Sequence, residues 1–256
     1  MNAPPFSIRN GGAKSDLLII CDHASNFIPE HYGRLGLPPE SLERHIAYDI
    51  GAGEVAAALA ERLNCVGLLA GFSRLLIDAN RGLDDPTLVM KLSDGEVIPG
   101  NRHVDPHNDK KQWQERVDKY YAPYRREIDR RIDALEGERP FALFSVHSFT
   151  PTWKGWRRPW DAGLLHGIDE RFAVALIEGL RAEGNLEVGR NEPYSGGIAG
   201  ESIETHGYER GLLNVTLEIR QDHLQSAEGR AEWVKRLVRV VPEALAKARA
   251  CKSERM

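Results

Sequence analysis

Short continuous apolar runs alternate with segments of helical period along most of this chain. The runs LLIIC (17–21), VGLLAG (66–71), SRLLID (73–78), FALFSV (141–146), AGLLHG (162–167) and LLNVTLEI (212–219) predict strands. Residues 40–64 predict a helix: Gly51 and Gly53 weaken its middle, and VAAALAERL is a strong helix former. Trp113, Val117, Tyr120, Tyr124, Ile128, Ile132 and Leu135 recur every three or four positions, which predicts a helix with one apolar face. Pro123 is a candidate kink within it. Residues 169–184 and 226–250 predict two further helices, the second carrying Trp233, Leu237, Val241 and Leu245 on one face. Residues 82–108, 148–163 and the glycine-rich 191–200 show no period. Pro4, Pro5, Gly11 and Gly12 break residues 1–15 into a loose N-terminal arm. Strands alternating with helices imply an α/β domain with a mostly parallel sheet. No repeat or low-complexity linker divides it, so a single domain over 1–256 is expected, with the irregular segments as decoration.

Composition narrows the function classes. A length of 256 residues, 41% apolar and 28% charged, suits a globular protein with a sizeable core. The 34 basic and 38 acidic residues leave a net charge of −4, so no nucleic-acid footprint is expected. No run approaches the length of a membrane span, and a cytoplasmic protein without a membrane partner is expected. The three cysteines (Cys21, Cys65, Cys251) contain no CxxC pair, which argues against a disulfide framework or a zinc ribbon. A metal site would therefore be built from histidine and carboxylate. Nine histidines are present, several beside strand-like runs.

In open α/β sheets, ligands bind beyond the carboxyl ends of the strands. LLIIC is followed by Asp22 and His23, and FALFSV by His147. The run NVTLEIR alternates, with Asn214, Thr216, Glu218 and Arg220 on one face and Val215, Leu217 and Ile219 on the other. Two histidines and a carboxylate at strand ends are the parts of a mononuclear zinc hydrolase. Each alone also fits a polar residue at a loop start, and Glu218 also fits a structural partner of Arg220. SRLLIDANR packs Arg74, Asp78, Asn80 and Arg81 together. Arginine forks match carboxylates, so this segment is either a substrate-carboxylate clamp or an Arg–Asp pair fixing a loop. His103 and His107 flank Pro106 outside any HExxH pattern and read as loop residues. SGGIAG lacks the nucleotide-cradle spacings, and its glycines suit a loop that moves or that approaches a ligand closely.

Taken in order, DHASNFIP, YDIGAGEVA, SRLLIDANR, VHSFTP, RPWDAGLL, NEPYS, THG and GLLNVTLEIRQD resemble the N-formylglutamate amidohydrolase family over residues 16–224. The resemblance implies a phosphorylase/hydrolase-like, carboxypeptidase-related α/β fold with a mixed, mostly parallel central sheet flanked by helices. It implies one zinc ion and hydrolysis of the amide bond of a small N-acyl amino acid such as N-formylglutamate. His23 and His147 match metal-ligand histidines, and Glu218 matches a general base. Arg74 resembles an oxyanion-stabilising arginine, and Asn80 and Arg81 an Asn-Arg pair that grips a substrate carboxylate. His206 and Arg220 are placed with them on the substrate. A carboxypeptidase-like HxxE pair would put a ligand at residue 26, where this chain has Asn26, so Asp49 of AYDIG is expected as the replacement. DHAS and DANR stand where the histidine-degrading enzymes carry PHSG and DLNR, which marks a side branch. The alternative from another class is a non-catalytic binding protein for acidic amino acids on the same fold.

Overall fold

The computed structural model describes residues 4–134 and 141–251. Its strands are β1 (Phe6–Arg9), β2 (Leu17–Cys21), β3 (Val66–Ala70), β4 (Leu92–Ser93), β5 (Glu96–Val97), β6 (Ala142–Phe149), β7 (Thr152–Trp153), β8 (Trp156–Arg157), β9 (Ala162–Leu165), β10 (Val188–Arg190) and β11 (Leu213–Arg220). Its helices are α1 (Ala52–Arg62), α2 (Lys110–Arg116), α3 (Ala122–Asp133), α4 (Arg171–Ala182) and α5 (Ala227–Ala250). Seven strands form one sheet in the order β1-β3-β2-β6-β11-β9-β10. The central four are parallel, β1 is antiparallel to β3, and β9 and β10 run against β11. The mixed, mostly parallel sheet is thus as expected.

Alternation explains why the central runs are unbroken. On β2, Leu17, Ile19 and Cys21 enter one core with α1, α4 and α5. Leu18 and Ile20 enter the other, with α3 and the 72–104 segment. A strand covered on both faces needs apolar residues at every position. β6 and β11 keep this pattern on the first face, and β6 adds only Leu143 to the second. Phe144 and Val146, then Val215, Leu217 and Ile219, pack beneath the helices. Their opposite faces carry Ser145 and His147, and Thr216 and Glu218. Of the polar face predicted for residues 214–220, Thr216 and Glu218 line a site at the carboxyl end of the sheet.

Four expectations need correction. Within the expected loose arm, Phe6–Arg9 is instead ordered as an edge strand paired with β3. SRLLID (73–78) is not a strand although Leu75, Leu76 and Ile77 are fully buried. Its carbonyls are satisfied by side chains instead: Asn101 Nδ2 donates to Leu75 O at 2.7 Å, and Arg116 Nη1 to Leu76 O at 2.8 Å. The helix predicted from residue 40 starts only at Ala52, after a 3-10 turn (Pro39–Glu43) and turns. Gly51 adopts φ 77° there, and a Cβ on it would meet Leu224 Cβ at 2.5 Å. This late start leaves Asp49 outside the helix, with its N–H donating to His23 O at 2.9 Å. The long amphipathic helix is interrupted by a π turn (Val117–Tyr121) just before Pro123. The widened turn accommodates the donor that Pro123 lacks. The predicted apolar face still enters the core, apart from half-buried Trp113 and from Leu135, which lies outside the described residues.

Candidate metal centre and pocket

Asp22 and His23 leave the end of β2, Asp49 precedes α1, and His147 and Glu218 face each other in register on β6 and β11. All five side chains are buried. The Asp49 Oδ2 atom lies 2.8 Å from His147 Nδ1 and 3.4 Å from His23 Nδ1. One donor atom each from His23, Asp49 and His147 lie within 4.8 Å of one another. The remote ring nitrogens are also held by carboxylates. His23 Nε2 is 2.6 Å from Asp78 Oδ1, and His147 Nε2 is 3.3 Å from Asp22 Oδ2. Ser202 Oγ donates to the other oxygen of Asp22 at 2.7 Å.

The charges are strongly coupled. Burial favours the protonated acid for Asp78, but Arg74 and His23 outweigh it and hold its carboxyl well below the ordinary range. Burial likewise opposes charge on Asp49, and the two imidazoles overcome it. His147 is buried too, yet its hydrogen bonds to Asp22 and Asp49 keep it well above the ordinary imidazole value. Glu218 behaves the other way. Burial pushes its carboxyl up to about 7, against the pull of His147, and its Oε2 has no hydrogen-bond partner.

These residues fit a divalent metal. The Nδ1 of His23 is buried and makes no hydrogen bond. An unpartnered buried nitrogen costs free energy unless something takes its lone pair. Two imidazoles and a carboxylate are a donor set suited to zinc, and carboxylates on the far ring nitrogens are the usual outer support of metal-ligating histidines.

The cluster opens into a cavity of about 230 Å³, whose walls include Arg74, Arg81, Tyr194, Ile198, Glu201 and Glu218. A wider, more open groove of about 540 Å³ beside β1 and α1 carries none of the metal-donor side chains. Arg74 spans Asp49 Oδ1 (3.5 Å) and Asp78 Oδ2 (3.0 Å) and lines the cavity. Asn80 also lines the cavity, with its Oδ1 accepting from Ser202 N at 2.8 Å.

The structure does not bring every expected residue to the cavity. His206 is buried with its Nδ1 2.7 Å from Asp129 Oδ1 on α3, away from the cavity walls. Arg220 is held by Asp161, Asp222 and the Trp160 carbonyl, where it fastens the end of β11. Asn26 donates to Leu42 O at 3.0 Å and faces Glu43, so Asp49 rather than Asn26 meets the histidines. Three contributors went unassigned from sequence: Asp22, Asp78 and Glu201. Period-2 alternation continued from Leu18 and Ile20 places Asp22 on the site face of β2, and that was the available signal.

The fold and this cluster define an α/β protein with a candidate mononuclear metal centre at the carboxyl ends of its parallel strands. The family model for N-formylglutamate amidohydrolase matches residues 15–224, so the chain belongs to that family, and its membership supports a hydrolase. Among solved structures, a gene product of Agrobacterium tumefaciens is 34% identical, with 95% of this chain and 96% of that one covered and a TM-score of 0.88. N-formylglutamate amidohydrolase from Ralstonia eutropha shares the fold at 22% identity, covering 97% and 100%, with a TM-score of 0.68. No curated protein matches the sequence. Among the described residues, no helix is long and apolar enough to cross a membrane.

Proposed function

We propose that this protein is a metal-dependent amidohydrolase that cleaves the amide bond of a small N-acyl amino acid, with N-formyl compounds as the first candidates. The observation that carries this reading is the convergence of His23, Asp49 and His147 beside Glu218, an unpartnered carboxylate opening into the same cavity. His23, Asp49 and His147 would hold the metal, with zinc favoured by the donor set. Such an ion supplies Lewis acidity and lowers the pKa of water towards about 7.

The remaining roles belong to the chain. Glu218 lines the cavity beside the metal donors, with its carboxyl raised by burial to about 7, where a group can both take and return a proton. It takes a proton from the attacking water and returns it to the departing amine. Arg74, already fixed by two carboxylates, presents its remaining N–H groups to the acyl oxygen, a preorganised donor for developing charge. Arg81, also on the cavity wall, is the grip for a substrate carboxylate, which turns binding energy into orientation. Asp22 and Asp78 hold the imidazoles in place.

The direct test is turnover of N-formyl, N-acetyl and N-succinyl amino acids by protein loaded with zinc. Turnover of at least one, lost on chelation and restored by metal, is the expected result. Binding of acidic amino acids without turnover would favour the non-catalytic alternative. Asp22→Asn is expected to weaken metal binding by roughly 10–100-fold with the fold intact, because it replaces the charged carboxylate that orients His147 with a neutral amide. Competition against a chromogenic chelator would measure this, and unchanged affinity would remove Asp22 from the centre.

A further inference from the structure

Two segments far apart in sequence run alongside each other at the cavity wall. Asn80, Arg81 and Gly82 face Ser202, Glu201 and Gly200 in three successive pairs. Ser202 N donates to Asn80 Oδ1 at 2.8 Å. Arg81 Nη1 donates to Glu201 Oε1 at 3.4 Å. Gly82 and Gly200 meet backbone to backbone, where a Cβ on Gly200 would fall 2.7 Å from Gly82 Cα. The second segment is fastened from beneath. Ser202 Oγ donates to Asp22 at 2.7 Å and lies 3.2 Å from Ala79 O. Arg125 Nη1 donates to Ala79 O and Gly200 O, at 3.1 and 3.2 Å. Backbone placement, not chance, brings the Glu201 carboxylate to Arg81.

Both arginines of the cavity therefore face carboxylates of the chain itself. Arg74 serves Asp49 and Asp78. Arg81 serves Glu201 at 3.4 Å and, through Nε, Asp85 at 3.8 Å. An anionic ligand entering this cavity meets cations that are already neutralised. The two arginines differ in what it would take to free them. Releasing Arg74 would strip two aspartates of the metal cluster. Freeing the Nη1 end of Arg81 needs only rotation of the Glu201 side chain about its own bonds, since the backbone of residues 200–202 is tied down, and the longer Asp85 contact at Nε can stay in place.

We propose that Glu201 stands on Arg81 in the place of the substrate carboxylate and sets the selectivity of the pocket by competing for that guanidinium. The proposal rests on reading Arg81 as the carboxylate grip. A ligand gains the Arg81 Nη1 contact by displacing Glu201 from it, so a neutral ligand gains nothing there and a weak anion is held back. Glu201 is thus a specificity-determining residue and takes no part in bond making.

The test uses two probes of the same length, glutarate and its diamide glutaramide, titrated calorimetrically into metal-loaded wild type, Glu201→Gln and Arg81→Gln at one pH and ionic strength. Glu201→Gln should bind glutarate about tenfold more tightly than wild type, as expected for one charge-assisted contact no longer given up, with glutaramide unchanged. Arg81→Gln should weaken glutarate and spare glutaramide. Equal tightening of both probes by Glu201→Gln would mean a merely roomier cavity and would overturn the proposal. So would unchanged glutarate binding, or binding detectable in neither protein. If Arg81→Gln leaves glutarate untouched, the grip itself is misassigned. If Arg81→Gln weakens glutarate while Glu201→Gln does not tighten it, only the role of Glu201 fails. Melting curves of both variants show whether the fold is retained.

Discussion

Glu218→Gln is expected to lower kcat by roughly 100- to 10,000-fold, the span typical for loss of a positioned general base, while metal content stays stoichiometric. Glutamine has nearly the same shape, so packing along β11 is kept and only the proton acceptor is lost. The same substitution carries a stability signature of defined sign. In the metal-free protein Glu218 has a folded pKa of about 7, against an unfolded value of about 4.3. A raised carboxyl means that the native state binds the extra proton between those values. The stability this confers is fully present below the unfolded pKa and is lost as pH rises through about 7. Glu218→Gln has no such loss, so metal-free variant and wild type should melt alike near pH 4–5, with the variant ahead by pH 8. Stopped assays with metal quantitation and melting curves across pH would check both. Full activity in Glu218→Gln would end the base assignment whatever the melting curves show.

Asp49→Asn should abolish stoichiometric metal after dialysis, weakening zinc binding by more than about 100-fold, since loss of an outer support alone costs 10–100-fold. Activity should fall to background with it. Asp49 Oδ2 faces both imidazoles and also receives the Ser148 N–H at 3.3 Å, while Oδ1 faces Arg74. An amide in that place is a poor ligand for zinc and turns an N–H₂ group toward one of these partners. Asn26→Ala serves as the comparison, because its side chain serves Leu42 and Glu43 away from the cluster. Elemental analysis of the two dialysed proteins settles the matter. Metal retained by Asp49→Asn and lost by Asn26→Ala would reverse the ligand assignment.

Much of this architecture was legible before any coordinates. The apolar runs of β2, β6 and β11 and the helices α4 and α5 follow from period alone, because burial on two faces or one leaves a direct imprint on sequence. The polar face of β11 was legible for the same reason, and with it Glu218. Where burial came without regular pairing, the pattern misled. SRLLID is as apolar as a strand, yet Asn101 and Arg116, from distant segments, take up its carbonyls. Residues 40–51 lack a helix because Gly51 and the contact of Asp49 with His23 delay its start.

The substrate role expected of His206 had no such imprint behind it, and the alternation that puts Arg220 on the face of Glu218 does not say where its long side chain ends. Both are ionic residues near the site in sequence, and each is committed to a structural carboxylate in space. Sequence alone determined the sheet, its covering helices and the two histidines with Glu218 at strand ends, since period and strand position are local properties. Only the tertiary structure decided which carboxylates serve them. Asp22, Asp49 and Asp78 come from three separate segments, and Glu201 lies 120 residues from Arg81. The pairing of buried charges depends on distances of a few ångströms between such segments, and spacing along the chain does not encode those distances.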